Sequence, residues 1–121
     1  SLEADLMTVA SSPFVLVSHG VEKDPIFNYA NNSALKLWEM DFQTFTSLPS
    51  RQSAEPAERL MRNNLLDETK KKGFYDQYEG IRISAKGNRF KITEVIVWNL
   101  FDQNNKYYGQ AATFEKITYL K

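Results

Sequence analysis

Hydrophobic and polar positions follow a strand-like pattern at both ends of the chain. Two short runs, residues 13–19 and 26–30, are rich in β-branched and aromatic residues, and a loop containing Gly20 and Pro25 separates them, which is typical of a hairpin. Three longer strand candidates close the chain. They span residues 74–84, 88–101 and 106–117. Because the polar segments between them have the composition of hairpin turns, we predict five strands in all.

The middle of the chain follows a helical period instead. Asn31 or Asn32 can cap a short helix that includes Trp38, since a side-chain amide can accept a hydrogen bond from the free N–H groups of a first turn. Asp41 can cap a second short helical turn, which ends before Pro49 because the residue before proline avoids helical geometry. Residues 50–53 are predicted to form a polar loop.

The longest helix is predicted over residues 56–72. Proline is tolerated in a first helical turn, and the helix is expected to end at three lysines followed by Gly73. Lysines oppose the exposed carbonyl groups at a helix C-terminus, and glycine accepts the left-handed turn that follows. The residues predicted to share its apolar face are Ala57, Leu60, Met61 and Leu65.

The chain is expected to form one domain with a short leader. Apolar residues recur at helical spacing over residues 1–12, which predicts an amphipathic N-terminal helix. Residues 13–121 form the domain, since 121 residues leave too little chain for a second core. The order ββ-αααα-βββ predicts an α+β fold, a five-stranded antiparallel sheet with helices on one face.

Composition excludes several classes of function. Fifteen Lys and Arg balance fifteen Asp and Glu, so we expect no nucleic-acid binding by this chain alone. No apolar run approaches the roughly 20 residues of a membrane-spanning helix, and no signal peptide is visible at the N-terminus. The absence of cysteine excludes disulfides and thiol nucleophiles and fits a cytoplasmic location. With a single histidine as well, no metal site is predicted.

Ordered sequence blocks in this chain resemble a known family. The blocks are Asp24–Asn31, Leu48–Arg51, Ser53–Pro56, Gly80–Ser84, Gly87 with Arg89 and Phe90, Val97–Leu100 and Gly109–Phe114. They resemble the MEKHLA domain, a PAS-related family found in small bacterial proteins and at the C-terminus of plant homeodomain-leucine-zipper regulators. The resemblance implies a PAS-like sensor or interaction domain of undefined ligand. One departure is Asn105, where the family pattern has glycine, and asparagine tolerates the positive φ of a tight turn.

The resemblance also bears on cofactors. Haem-binding PAS domains usually supply an axial histidine from the longer helix, and residues 56–72 contain none, so histidine-ligated haem is not expected. Flavin photosensors of this fold use a cysteine for their photoadduct, and this chain has none. Cysteinyl-flavin photochemistry is therefore not expected either.

Several polar side chains lie among apolar neighbours in the predicted strands. They are Asn28, Tyr78, Arg82, Asn99 and Gln110. Since an unpaired buried amide or guanidinium is costly, these groups need partners, either one another in a structural network or a bound polar ligand.

We therefore consider a ligand cavity between the sheet and the helices, as sensor domains of this fold have. The candidate ligand-binding residues are Arg51 and Arg82 for an anionic or carbonyl group, Trp98, Phe90 and Trp38 for apolar walls, and Asn99, Tyr29 and His19 for orientation.

The strand over residues 88–101 has apolar side chains on both faces. Even positions such as Phe90 and Trp98 are apolar, and Val95, Val97 and Phe101 make the opposite face partly apolar too. Helices cover one face, and the leader helix or a second copy of the chain is expected to cover the other. We therefore predict a homodimer.

Three functions stay open from the sequence. The preferred one is a PAS-like sensory or regulatory module that binds a small ligand or a protein partner and signals through a dimer interface without catalysis. An alternative is a small isomerase or hydrolase on a cone-like α+β fold, which would use His19 beside a carboxylate in an aromatic-lined pocket. The third is a pure dimerisation module without a cavity.

Overall fold

The protein is built on one antiparallel β-sheet. The structure, a computed structural model, describes residues 13–121. Its strands are β1 (Val15–His19), β2 (Phe27–Ala30), β3 (Phe74–Ile83), β4 (Arg89–Phe101), β5 (Tyr107–Phe114) and β6 (Lys116–Tyr119). The strand order is β2-β1-β5-β4-β3, and β6 pairs with β4. The predicted α+β class and antiparallel sheet are confirmed.

The last predicted strand is in fact two strands. β5 pairs with residues 96–101 of β4, and β6 pairs with residues 90–93 of the same strand. Between these two stretches, Glu94 adopts a φ of 53°, which interrupts the extended backbone of β4. Within residues 13–121 the sheet therefore has six strands where the sequence predicts five.

The interruption at Glu94 also changes which side chains of β4 face the helices. Phe90 before it and Val97 after it both belong to the core, although one position is even and the other odd. The prediction that the even positions of this strand, from Phe90 to Trp98, share one face is therefore wrong beyond Glu94. Since neighbouring side chains on a strand point to opposite faces, Ile96 and Trp98 lie on the face away from the helices.

Helices cover one face of the sheet. Within residues 13–121 they are α1 (Asn32–Trp38), α2 (Phe42–Phe45) and α3 (Arg59–Lys72), and two 3-10 turns, Ser50–Ser53 and Pro56–Glu58, precede α3. The helix predicted from residue 56 is therefore α-helical only from Arg59. None of these helices is long and apolar enough to cross a membrane. The predicted leader helix, residues 1–12, lies outside the described residues.

Helix α3 ends where the sequence predicts but buries a different face. Gly73 has a φ of 97° and its N–H donates to the Thr69 carbonyl, which closes the helix. Leu60 and Met61 are exposed, so the predicted apolar face is wrong at these positions. The residues that α3 buries are Arg62, Leu65 and Thr69, which recur at helical spacing.

An aromatic cluster joins the helices to the sheet. The Trp38 ring, at the end of α1, lies 5.5 Å from the ring centroid of Phe90 and 6.2 Å from that of Phe114. It also contacts Phe27 of β2 and Phe45 of α2. Trp38 therefore lies at the centre of the core.

Asn31 ties the first strand to the first helix. Its Oδ1 accepts hydrogen bonds at 3.1 Å from the backbone N–H groups of Ala34 and Leu16. Its Nδ2 donates to the Phe14 carbonyl at 2.8 Å. The predicted N-cap is thus confirmed at Asn31, and the same buried side chain also satisfies backbone groups of the β1 segment.

Replacing Asn31 by alanine is expected to lower the free energy of unfolding by about 3 kcal/mol. The loss of the cap costs about 1 kcal/mol and each of two orphaned backbone groups at least about 1 kcal/mol more. Urea denaturation measures the change. Asn32→Ala is the matched control, because Asn32 is exposed, and its effect should stay within about 0.5 kcal/mol. Equal effects of the two substitutions would contradict the assignment.

Candidate functional site

A cavity lies inside the protein between the sheet and the helices. Its volume is about 60 Å³, enough for about four water molecules. The apolar part of its lining includes Phe27, Trp38, Leu65, Val95, Val97 and Phe114. The polar part includes His19, Ser53, Arg62, Tyr78, Arg82 and Gln110. The side chains of the protein therefore leave a small hollow with mixed chemistry.

A second, larger depression lies at the surface beside this cavity. This outer groove has a volume of about 490 Å³ and runs between the β1–β2 loop and α3. Four residues line both the groove and the interior cavity: His19, Arg62, Leu66 and Gln110. These side chains form the boundary between solvent and the interior.

A row of polar side chains fixes α3 to the sheet. His19, Gln110 and Asn99 lie opposite one another on β1, β5 and β4, so their side chains share a face. Gln110 Nε2 donates to Asn99 Oδ1 at 3.2 Å and to the Leu66 carbonyl of α3 at 3.0 Å. Asn99 Nδ2 donates to the Lys70 carbonyl at 3.2 Å. Part of the structural network considered from the sequence is thus present.

Gly109 allows the end of β1 to lie close to β5. A Cβ atom at this position would come within 2.0 Å of the His19 carbonyl oxygen, and the φ of 144° is one that other residues rarely adopt. Only glycine therefore fits between the two strands here. This close approach places His19 at the cavity boundary.

His19 is buried and neutral in character. Its Nδ1 lies 3.1 Å from the Gly20 carbonyl oxygen. Since a carbonyl only accepts, Nδ1 carries the proton and Nε2 is an acceptor, which finds no hydrogen-bond partner in residues 13–121. Burial lowers the pKa of His19, and the hydrogen bond to the Gly20 carbonyl raises it. Among the smaller effects, the charge of Arg62 lowers this pKa, and the side chain of Gln110 and the charge of Glu22 raise it.

Two buried arginines line the cavity from opposite layers of the protein. Arg62 comes from α3 and donates from Nη2 to Ser50 Oγ. Arg82 comes from β3 and donates to the Ile81 carbonyl at 2.9 Å and to the Tyr78 hydroxyl at 3.0 Å. Burial and the nearby charge of Arg82 lower the pKa of Arg62 to about 10.

Neither of these arginines forms an ion pair with an Asp or Glu side chain of the described residues. Arg51, by contrast, is exposed and its Nε lies 3.1 Å from both carboxylate oxygens of Asp24. An unpaired buried charge is expensive, since its hydration is lost without a compensating partner. Arg62 and Arg82 therefore give the cavity an uncompensated positive charge.

Trp38, which lines the cavity, has a buried hydrogen-bond donor without a partner. Trp38 is 2% exposed, and its Nε1–H finds no acceptor in residues 13–121. In the part of the chain described, two fully buried side-chain polar atoms lack a hydrogen-bond partner: this Nε1 atom and His19 Nε2. Both side chains line the interior cavity.

Three of the eight residues predicted from the sequence line this cavity: His19, Trp38 and Arg82. Phe90 lies behind it, where its ring packs edge-on against Trp38. Arg51 lines the outer groove and is held by Asp24.

The other three predicted residues lie elsewhere. Asn99 uses its amide at the C-terminus of α3, and its backbone N–H donates to the Gly73 carbonyl. The ring of Tyr29 packs against Phe42 of α2, with 6.3 Å between centroids. Trp98 does not line the cavity, because the interruption of β4 at Glu94 places it on the opposite face.

Sequence reasoning missed Arg62. A signal was present, since Arg62 shares a helical face with Leu65 and Thr69, and an arginine on an apolar face needs a partner. The predicted face of α3 was rotated toward Leu60 and Met61, which concealed this signal.

The arrangement suits binding by hydrogen bonds and charge. In residues 13–121 no group of three or more His, Asp or Glu side chains could hold a metal ion. Nor does an Asp or Glu carboxylate of these residues hydrogen-bond to the His19 ring, as the general base of a hydrolase would require. The chemistry of the cavity is that of a cationic, donor-rich site.

Comparison with known proteins gives a consistent result. The MEKHLA domain matches residues 1–119 of the chain. No curated protein matches the chain in sequence.

Solved structures share the fold at low sequence identity. A PAS domain from Colwellia psychrerythraea has a TM-score of 0.82 at 10% identity, over 98% of this chain and 96% of that one. A PAS domain from a two-component sensor histidine kinase has a TM-score of 0.74 at 15% identity, over 98% and 97%. The Rhodobacter sphaeroides LOV protein has a TM-score of 0.72 at 13% identity, over 93% and 65%. The PAS-like fold implied by the sequence is confirmed.

The lowered pKa of His19 predicts that the protein loses stability in mild acid. The unfolded chain takes up a proton near the ordinary histidine pKa of about 6.5, and the folded state resists this until lower pH. The free energy of unfolding should therefore fall as the pH drops below about 6.5, by at most about 1.4 kcal/mol per pH unit for one group.

Denaturation between about pH 5 and pH 7 tests this, because carboxylates with ordinary pKa values titrate below that window. His19 is the only histidine in the chain. The variant His19→Asn keeps a donor for the Gly20 carbonyl but does not titrate, so its stability should be nearly constant over the same window. A slope that persists in this variant would assign the effect to another group.

Proposed function

The chain belongs to the MEKHLA domain family and has a PAS fold, and on this basis we propose that it is a sensory or regulatory module. It binds a small ligand in the interior cavity and acts through binding, without catalysis. The observation that carries the proposal is the pair of partnerless buried atoms, His19 Nε2 and Trp38 Nε1, in side chains that line one cavity. Buried polar atoms in native proteins almost always have partners, and a ligand supplies them here.

The outer groove supports a route for the ligand. Arg62 and Gln110 line both the groove and the cavity, so movement of these side chains opens one space to the other. Gln110 also holds the Leu66 carbonyl of α3. A ligand that contacts Gln110 or Arg62 therefore changes the forces on α3.

Signalling requires that the ligand favour one arrangement of the protein over another, because a ligand with equal affinity for both shifts nothing. Helix α3 is suited to respond, since its apolar contact with the core rests on Leu65 and the partly buried Leu66, and hydrogen bonds from Gln110 and Asn99 supply the rest of its attachment. Occupancy of the cavity then changes how α3 lies on the sheet.

The catalytic alternative has less support. An isomerase or hydrolase based on His19 needs a group that orients the imidazole and a reacting partner. The Gly20 carbonyl orients the ring, but no reacting side chain of residues 13–121 hydrogen-bonds to Nε2, and the lowered pKa is caused chiefly by burial. A pure dimerisation module would need no cationic cavity.

The homodimer uses the face of the sheet away from the helices. Phe74 lies opposite Trp98 on that face, and Ile96 beside them is 43% exposed. Exposed apolar residues gathered on one face are typical of protein interfaces. A second copy that covers them connects the sheet of one subunit to that of the other.

Native mass spectrometry of the purified protein tests ligand binding. The wild-type chain should retain a small molecule, and Ala112→Leu should lose it, because Ala112 lines the cavity and a larger side chain occupies the same space. Ala57→Leu makes the same change at an exposed position and should retain the molecule at wild-type occupancy. Equal occupancy in all three proteins, or none in any, would contradict the proposal.

The dimer is tested by sedimentation velocity with a charged residue in its interface. Ile96→Asp places a carboxylate on the exposed sheet face, and desolvating it should convert the dimer to a monomer. Leu60→Asp makes a similar change on α3, where Leu60 is 72% exposed on the other side of the sheet, and should stay dimeric. A wild-type monomer, or a dimer in both variants, is the contrary result.

A further inference from the structure

We propose that the ligand of the interior cavity is a small organic anion whose carboxylate lies between Arg62 and Arg82. This inference rests on the proposed function, since it names the chemical class of the molecule that the cavity binds. It differs from the sequence prediction in one residue: the sequence predicted that Arg51 and Arg82 bind an anionic group, and the structure assigns Arg62 and Arg82.

The first argument is charge. Arg62 and Arg82 are each 6% exposed and line the same cavity, and no carboxylate of residues 13–121 is paired with either. Tyr78 and, after it, Asp24 raise the pKa of Arg62, and the Asp24 carboxylate is already bound to Arg51. Water molecules can satisfy hydrogen bonds in such a space but cannot neutralise its charge. An anion does both.

The second argument is the excess of donors. Each guanidinium has five N–H groups. Arg82 uses two of them, in its hydrogen bonds to the Ile81 carbonyl and the Tyr78 hydroxyl. Arg62 donates to Ser50 Oγ and, over a long 3.4 Å, to Asn63 Oδ1. Tyr78 accepts from Arg82, so its own hydroxyl proton is free to be donated. The Trp38 indole N–H is unused. A carboxylate, which only accepts hydrogen bonds, matches these donors, and a hydroxyl group on the same molecule, as in lactate, can donate to the acceptor His19 Nε2.

The third argument is the shape and polarity of the remaining wall. The cavity is about 60 Å³ in volume, and Val95, Val97 and Phe114 form part of its lining. A phosphate would place oxygen atoms against these apolar side chains, because its oxygens point in all directions. A short carboxylate has one charged end for the arginines and one apolar end for this wall.

Arg62 also explains how such a ligand enters. Its side chain lines both the outer groove and the cavity, so an anion meets the same guanidinium before and after entry. The groove as a whole is lined by four basic side chains and three acidic ones, so its charge is positive by one: Lys23, Arg51, Arg62 and Lys70 against Glu22, Asp24 and Asp67. Positive charge along an entry path favours the approach of anions.

The test compares matched charged and neutral probes. Thermal unfolding of the wild-type protein is followed with propionate or lactate, with propionamide as the neutral counterpart of propionate, and with inorganic phosphate. At least one carboxylate should raise the unfolding temperature in a saturable way, and propionamide and phosphate should not. Stabilisation by phosphate alone, or equally by propionamide, would overturn the inference.

Substitution of the arginines gives a second readout. Arg62→Met and Arg82→Met should abolish the carboxylate-dependent shift, with affinity reduced at least tenfold. Without ligand, these variants should unfold at the wild-type temperature or above it, because they remove a buried charge that has no partner. Arg89→Met is the control and should keep the shift, since Arg89 is exposed, is paired with Glu55 and lines neither the cavity nor the outer groove. Retention of the shift in both cavity variants would overturn the assignment.

A spectroscopic experiment covers the case in which a variant fails to fold. In wild-type protein labelled with ¹⁵N-arginine, the side-chain signals of two arginines should move during titration with the carboxylate that stabilises the protein. If no signal from a buried arginine moves, the inference is contradicted. If a neutral molecule co-purifies with the wild type and Ala112→Leu removes it, the proposed function holds while the inference of an anion fails.

Discussion

The attachment of α3 to the sheet depends on hydrogen bonds from side-chain amides to the helix backbone. Gln110 and Asn99, opposite one another on two strands, donate to the carbonyls of Leu66 and Lys70. The Lys70 carbonyl lies in the last turn of α3, where carbonyls lack partners within the helix, so Asn99 caps α3 there. Gln110 bonds to the Leu66 carbonyl one turn earlier, and the two amides together fix the position of the helix. Ala112 lies two residues along β5 from Gln110 and is too small to fill the space beneath the helix. The cavity results from this combination of polar attachment and a small residue.

The fold was predictable where local chemistry decides the structure. A buried amide caps α1 at Asn31, and glycine ends α3 at residue 73, as expected from residue type alone. Asn105 adopts the positive φ that a tight turn requires. Glu94 was not predictable in this way, because glutamate rarely adopts a φ of 53° and nothing in its neighbours marks it. That one residue interrupts β4 and moves Trp98 to the other face.

The site was predictable only in part, for a related reason. Polar residues in strands stand out because the apolar pattern around them is regular, which identified Arg82 and the buried end of β1 at His19. A helix such as α3, with many charged residues, hides a buried arginine, and the face of Arg62 becomes clear only from packing. Asn99 shows the opposite error, since its amide is used by the helix end and not by the cavity. Residue type indicates which groups need partners, and the tertiary structure decides which partners they find.

The contact between Gly109 and the His19 carbonyl has a consequence for how this domain can diversify. Because even a methyl group at residue 109 would collide with the backbone of β1, this position is closed to mutation while the two strands stay paired. The cavity-lining side chains on either side carry no such restriction on their identity. Substitutions of those side chains can therefore change which ligand is bound, while the junction between β1 and β5 at Gly109 stays the same.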